Sequence, residues 1–161
     1  MSDVAAQTAT IVAFLQGIGI PTTEAALDEE TFLPAMVVRD GVLLYDPAKL
    51  QWPGDLLHEA GHIAVTAPEL RATVSDFREG NPTADGDEMA AIAWSYAAAL
   101  AAGIDVDVVF HAEGYRSAGP WVAETFAKGS YIGLPMLQYY GLARFRHDDG
   151  AQYPAMIKWL R

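Results

Sequence analysis

The chain has 161 residues, 52% of them hydrophobic and 19% charged, which is enough apolar material for one packed domain over 1–161 and too much for wholesale disorder. Ten Lys and Arg against 21 Asp and Glu give a net charge of -11. That balance argues against nucleic acid and against an anionic membrane as partners, because both are recognised through clustered cations. The absence of cysteine excludes a disulfide framework, thiolate metal fingers and a cysteine nucleophile.

The N-terminus, Met1-Ser-Asp-Val-Ala-Ala-Gln-Thr, has no positive region and no long apolar run, so it does not read as a signal peptide. A cytoplasmic location is the expectation. Residues 3–16 set Val4, Ile11, Phe14 and Leu15, then Ile18, on one stripe, which predicts an amphipathic helix ended by Gly17, Gly19 and Pro21. The acidic stretch 23–31 reads as a short helix beginning near Thr22 or Thr23. In 35–45, two aliphatic runs flank Asp40-Gly41, a dipeptide that favours the left-handed turns of tight hairpins.

Trp52-Pro53-Gly54 leads into a helix over 55–65, with Pro68 marking its end. The polar stretch 75–86 reads as a loop. The longest apolar stretch, 89–103, is shorter than the ~20 residues that span a bilayer, so a buried alanine-rich helix is expected over 87–102. Shorter helical pieces follow at 107–111, 121–128 and 135–140, and the apolar tail 153–160 is expected to dock on the body. The fold class is α+β: mainly helical, with a small antiparallel hairpin beside the 55–65 helix.

That helix carries His58-Glu59-Ala60-Gly61-His62. Two histidines four residues apart lie on one helical face, about 6 Å apart along the axis at 1.5 Å rise per residue, and can share a zinc ion at about 2.0–2.1 Å. Glu59 is rotated by roughly 100° from His58, a position from which a carboxylate reaches a water beside the metal rather than the metal itself. With four histidines in the chain, chance supplies this pentapeptide in roughly one sequence in 200. The competing reading is a helix with two histidines that are merely satisfied or exposed. The apolar flanks Leu56-Leu57 and Ile63-Ala64-Val65 favour a helix packed into the core.

A catalytic zinc has three protein ligands and one open position. No histidine occurs between Ile63 and Arg71, and Glu88 is the best third ligand, at the start of the long helix and on a stripe with Ala91, Ile92, Ser95 and Ala99. Asp85 and Asp87 compete for that role. Asp85-Gly86-Asp87-Glu88 is also spaced as a capping box, with Asp85 as N-cap. Asp55 reads as the N-cap of the 55–65 helix, or else as a hydrogen-bond partner that orients an imidazole.

With those residues in view, the sequence resembles a zincin metallopeptidase of the gluzincin type. Leu57-His58-Glu59-Ala60-Gly61-His62 matches the zinc helix, and 85–94 is similar to the Glu-bearing second helix of the compact ImmA/IrrE-like peptidases. The resemblance implies Zn2+ held by His58, His62 and Glu88, Glu59 as catalytic base, a peptide or protein substrate, and the hairpin as an edge on which that substrate lies. His111, Tyr115 and Tyr131 are candidates for a donor to the tetrahedral intermediate, each with a structural role as its competing reading. The same metal residues also suit a non-catalytic interaction or sensing protein that retains the site. The Gly- and aromatic-rich segment 129–141 lines a cleft or forms an oligomer contact on this reading.

Overall fold

The computed structural model describes residues 3–75 and 84–161. The protein is α+β, with a three-stranded sheet set against a helical body. Helix α1 (Asp3–Gly17) buries Ile11 and Leu15 completely. It stops at Gly19, whose φ of 95° is open to a residue without a Cβ. There the Ile20 N–H reaches the Leu15 carbonyl at 2.9 Å and the Gly19 N–H the Gln16 carbonyl at 3.2 Å. This crossed pair of bonds satisfies the last carbonyls, and the buried Ile20 packs where the helix ends.

Strands β2 (Met36–Arg39) and β3 (Val42–Tyr45) form the expected hairpin, with Asp40 and Gly41 both at positive φ in its two-residue turn. Strand β1 (Thr22–Glu24) adds to the other side of β3 in parallel, so the order is β1-β3-β2 and the sheet is mixed. The short helix expected over 23–31 does not form. Thr22 to Glu24 instead pair with Leu43 to Tyr45 along the open edge of β3, and β-branched threonines suit that extended pairing. Beyond β1, the Leu27 N–H is captured by the Asp46 carboxylate at 3.0 Å.

Helix α2 (Asp55–Val65) is buried along almost its entire length, only His58 among its residues being less enclosed. Helix α2 ends at Val65, ahead of Pro68 as expected, and Pro68 then opens the short α3 (Pro68–Arg71). The long α4 (Ala84–Ala102) crosses α2, its Ala90, Ala91, Ala93, Ala97, Ala98 and Ala99 lying in the core with Trp94. Small side chains on α4 and Gly61 on α2 let the two backbones approach closely. A Cβ on Gly61 would stand 2.9 Å from the Ala91 carbonyl oxygen. That contact sets the register of one helix on the other.

Helices α5 (Val106–Val109), α6 (Gly119–Ala127) and α7 (Leu134–Tyr139) complete the body, and a 3-10 turn, Tyr115–Ser117, precedes α6. Asp105 caps α5 by accepting the Asp107 N–H at 2.9 Å. The segment 129–141 packs on α4, where a Cβ on Gly133 would strike the Met89 carbonyl. The tail docks as its apolar residues suggest. Trp94 donates its indole N–H to the Trp159 carbonyl at 2.9 Å, Tyr153 its hydroxyl to the Ala93 carbonyl at 2.7 Å, and the Arg161 N–H reaches the Ala64 carbonyl at 2.9 Å. Among the described residues, no helix is long and apolar enough to cross a membrane.

Candidate metal centre

The 3.6-residue period of α2 brings His58 and His62 to one face, and the crossing at Gly61 and Ala91 brings the first turns of α4 across that face. Glu88 arrives between the two rings. Its Oε1 lies 3.1 Å from His58 Nε2 and its Oε2 lies 2.9 Å from His62 Nε2, while the two Nε2 atoms stand 3.2 Å apart. Ligand atoms held at about 2.0–2.1 Å around a tetrahedral zinc are separated by roughly 3.3 Å, so the donor set and its spacing fit such an ion. Among the described residues these three form a group able to hold a metal.

Burial raises the cost of the Glu88 charge, but hydrogen bonds and charge attraction from His58 and His62 outweigh it and hold the carboxyl well below the usual carboxylate range. The His58 and His62 side chains are only 12% and 7% exposed, whereas Glu88 keeps 44%. The cluster therefore meets solvent on the side of α4 and is walled by core on the side of α2. Glu59 is buried beside it, within electrostatic reach of the Tyr115 phenol.

Asp87 and Asp55 find other partners. Asp85 is the second residue of α4 and so does not stand at the N-cap position expected for it; most of the expected 75–86 loop falls outside the described residues. Asp87 accepts the Tyr140 hydroxyl at 3.2 Å. Asp55 does not cap α2 either: Gly54 holds that position, and the Asp55 carboxylate turns to His111, with Oδ1 2.8 Å from Nε2. Burial raises the Asp55 carboxyl pKa, and the His111 hydrogen bond works against that rise. The His111 ring lies flat on Trp52, centroids 4.5 Å apart and planes 7° from parallel.

Of the three donor candidates, His111 is engaged by Asp55, and Tyr131 packs among Tyr96, Phe126 and Tyr153. Tyr115 sits at the His58–His62–Glu88 cluster, but on its inner side: its hydroxyl lies 3.0 Å from His58 Nδ1, the nitrogen turned away from Glu88. Burial drives the Tyr115 pKa well above 10, and the acids Glu88, Asp55 and Glu59 push it in the same direction. Ser95, whose hydroxyl lies 2.9 Å from the Ile92 carbonyl, works against that rise by hydrogen bonding to the Tyr115 oxygen. Its place was visible in sequence only as a polar residue on the Glu88 stripe, seven positions on and so on the same helical face.

Comparison with known proteins identifies no relative: no family model matches the chain, and neither a curated protein nor a solved structure matches it.

Proposed function

We propose that the chain is a zinc-dependent hydrolase that cleaves peptide bonds, with His58, His62 and Glu88 as metal ligands and Glu59 as general base. The observation that carries the reading is the convergence of two imidazole nitrogens and a carboxylate, 2.9–3.2 Å from one another, across two helices. Three protein ligands with solvent on one side suit a catalytic site, whereas a structural zinc is closed by four. A zinc ion there supplies a Lewis acid that polarises a carbonyl and makes water a nucleophile near neutral pH.

The chain's own residues do the rest on this reading. To hold the ion, His58 and His62 would give up their contacts with Glu88 and present Nε2 lone pairs, while Glu88 would contribute negative charge. Glu59, next to His58 on α2 and buried, accepts the proton of the attacking water and returns it to the leaving amine. The resemblance of 57–62 and 85–94 to gluzincins supports the peptide bond as the target. Positive charge on a substrate would be attracted by the net charge of -11.

The test compares wild type with Glu59→Gln on a peptide library, alongside zinc content. Expected are one zinc per chain in both proteins, cleavage by wild type that a chelator stops, and none by the variant. Equal, metal-independent cleavage by both would overturn the assignment. So would a zinc-loaded wild type that unfolds without its metal and cleaves nothing.

A further inference from the structure

Helix α2 ends at Val65, and the carbonyls of its last turn, His62 to Val65, have no partners inside the helix. Thr66 takes the first two, its hydroxyl donating to the His62 carbonyl at 2.7 Å and its N–H to the Ile63 carbonyl at 3.2 Å. The other two go to one distant residue. The Arg161 N–H reaches the Ala64 carbonyl at 2.9 Å, and its guanidinium donates from Nη1 to the Val65 carbonyl at 3.3 Å. A cation thereby stands at the negative end of the helix dipole.

That guanidinium also reaches toward the second helix of the cluster. It lies over the Tyr140 ring, 4.0 Å from the centroid, and the Tyr140 hydroxyl donates to the Asp87 carboxylate at 3.2 Å. Asp87 is the fourth residue of α4 and the neighbour of Glu88. A continuous link therefore runs from Val65 through Arg161 and Tyr140 to Asp87. It ties the last turn of α2, which carries His62, to the start of α4, beside Glu88.

We infer that Arg161 and Tyr140 are positioning residues that hold Glu88 against His62 by joining the ends of their helices. The inference rests on the metal-binding reading of His58, His62 and Glu88 and adds two residues to it. The Gly61–Ala91 contact fixes how closely α2 and α4 approach, but two helices touching at one point can pivot there. A link between their ends opposes that pivot where it would separate His62 Nε2 from Glu88 Oε2, which meet at 2.9 Å. Arg161 is itself held for this task. Its carbonyl accepts from Arg71 Nη2, and the Trp159 carbonyl, two residues earlier, accepts the Trp94 indole N–H at 2.9 Å. The Trp159 ring stands edge-on to Phe14 and Trp94, centroids 5.2 and 5.6 Å away.

Three measurements on the full chain test the inference. Chelator competition reads the zinc Kd, and the visible absorption of the cobalt-loaded protein reads the geometry around the ion. Nitrogen–proton spectra of the metal-free protein at one fixed pH read the ring-nitrogen shifts of His58 and His62, which report their contact with Glu88. Tyr140→Phe keeps the ring beneath Arg161 and the charge of Asp87, and removes one hydroxyl. It is expected to weaken zinc binding about 10-fold, the lower end of what loss of an outer partner does to a metal site. The cobalt spectrum and the ring shifts should change with it. Arg161→Ala is expected to do the same, and Arg161→Lys, which keeps a cation, to recover part of the loss. Wild-type zinc affinity and ring shifts in Tyr140→Phe would overturn the inference, even with a lowered melting temperature, because the link would then serve stability alone. So would a lysine variant no better than the alanine one. If wild type binds neither zinc nor cobalt, the hydrolase reading falls, and the ring shifts of the metal-free protein still decide this one.

Discussion

Gly61 and Ala91 meet so closely across α2 and α4 that a Cβ on the glycine would lie 2.9 Å from the alanine's carbonyl oxygen and 3.3 Å from its Cβ. The contact falls one residue before His62 and three after Glu88, so the same crossing that packs the helices also sets the spacing of His58, His62 and Glu88. Gly61→Val forces the backbones apart. A loss of about 1–3 kcal/mol is expected from overpacking, offset by only about 0.3 kcal/mol because valine is itself a poor helix former. Zinc affinity should fall with it, since the carboxylate moves with α4. Denaturant unfolding and chelator competition check both; a variant with wild-type zinc affinity would show that the crossing does not position Glu88.

Glu88 separates the ligand role from a stabilising one. Its side chain is 44% exposed, which screens its pairing with the two histidines, so Glu88→Ala should lower the metal-free melting temperature only modestly. Zinc at about 100 times its Kd stabilises a protein by ~2.7 kcal/mol through binding the native state alone. Wild type should show that rise in thermal unfolding, and the variant should show almost none at the same zinc concentration. A full rise in the variant would remove Glu88 from the ligand set.

The parts of this site that were legible in sequence are those governed by local geometry. The imidazole pair follows from one helical turn, the hairpin from Asp40-Gly41, and Glu88 from its place at the start of an alanine-rich helix. What escaped depends on distant partners. Strand β1 is three residues long with no apolar alternation, and it exists because β3 offers it an edge. Asp55 looked like a cap, but its carboxylate finds His111, 56 residues away, once the chain returns over the start of α2. Tyr115 was visible as a phenol but not as a partner of His58, because its left-handed backbone is imposed by packing.

The His111–Asp55 contact is predicted to hold the start of α2 against the loop after α5. Both side chains are 10% exposed, and the bond is 2.8 Å long. His111→Phe keeps the stack on Trp52 and leaves a buried carboxylate without its donor, which should cost about 1–3 kcal/mol. The double variant Asp55→Leu, His111→Phe removes both polar groups and should recover part of that loss. Equilibrium unfolding of the four proteins gives the coupling. Strictly additive losses would mean that the pair does not act together.

Asp46 supplies the pH dependence. One oxygen accepts the Leu27 N–H at 3.0 Å and the other the Ala48 N–H at 3.0 Å, with the Lys49 ammonium 3.7 Å away. The Leu27 hydrogen bond is the main reason that the carboxyl sits below its ordinary value of 3.8; burial opposes it, and Ala48 and Lys49 assist. A carboxyl depressed in the folded state stabilises the fold fully above its unfolded value and loses that contribution as pH falls through the folded one. Asp46→Asn leaves an amide that presents only one acceptor to two N–H groups. It should therefore unfold at lower denaturant than wild type at pH 7, and the gap should close as pH falls below about 3.8. Midpoints measured across that range check the sign, and a gap that stays constant or widens in acid would show that the ionised carboxylate is not what holds 25–27 against the end of β3.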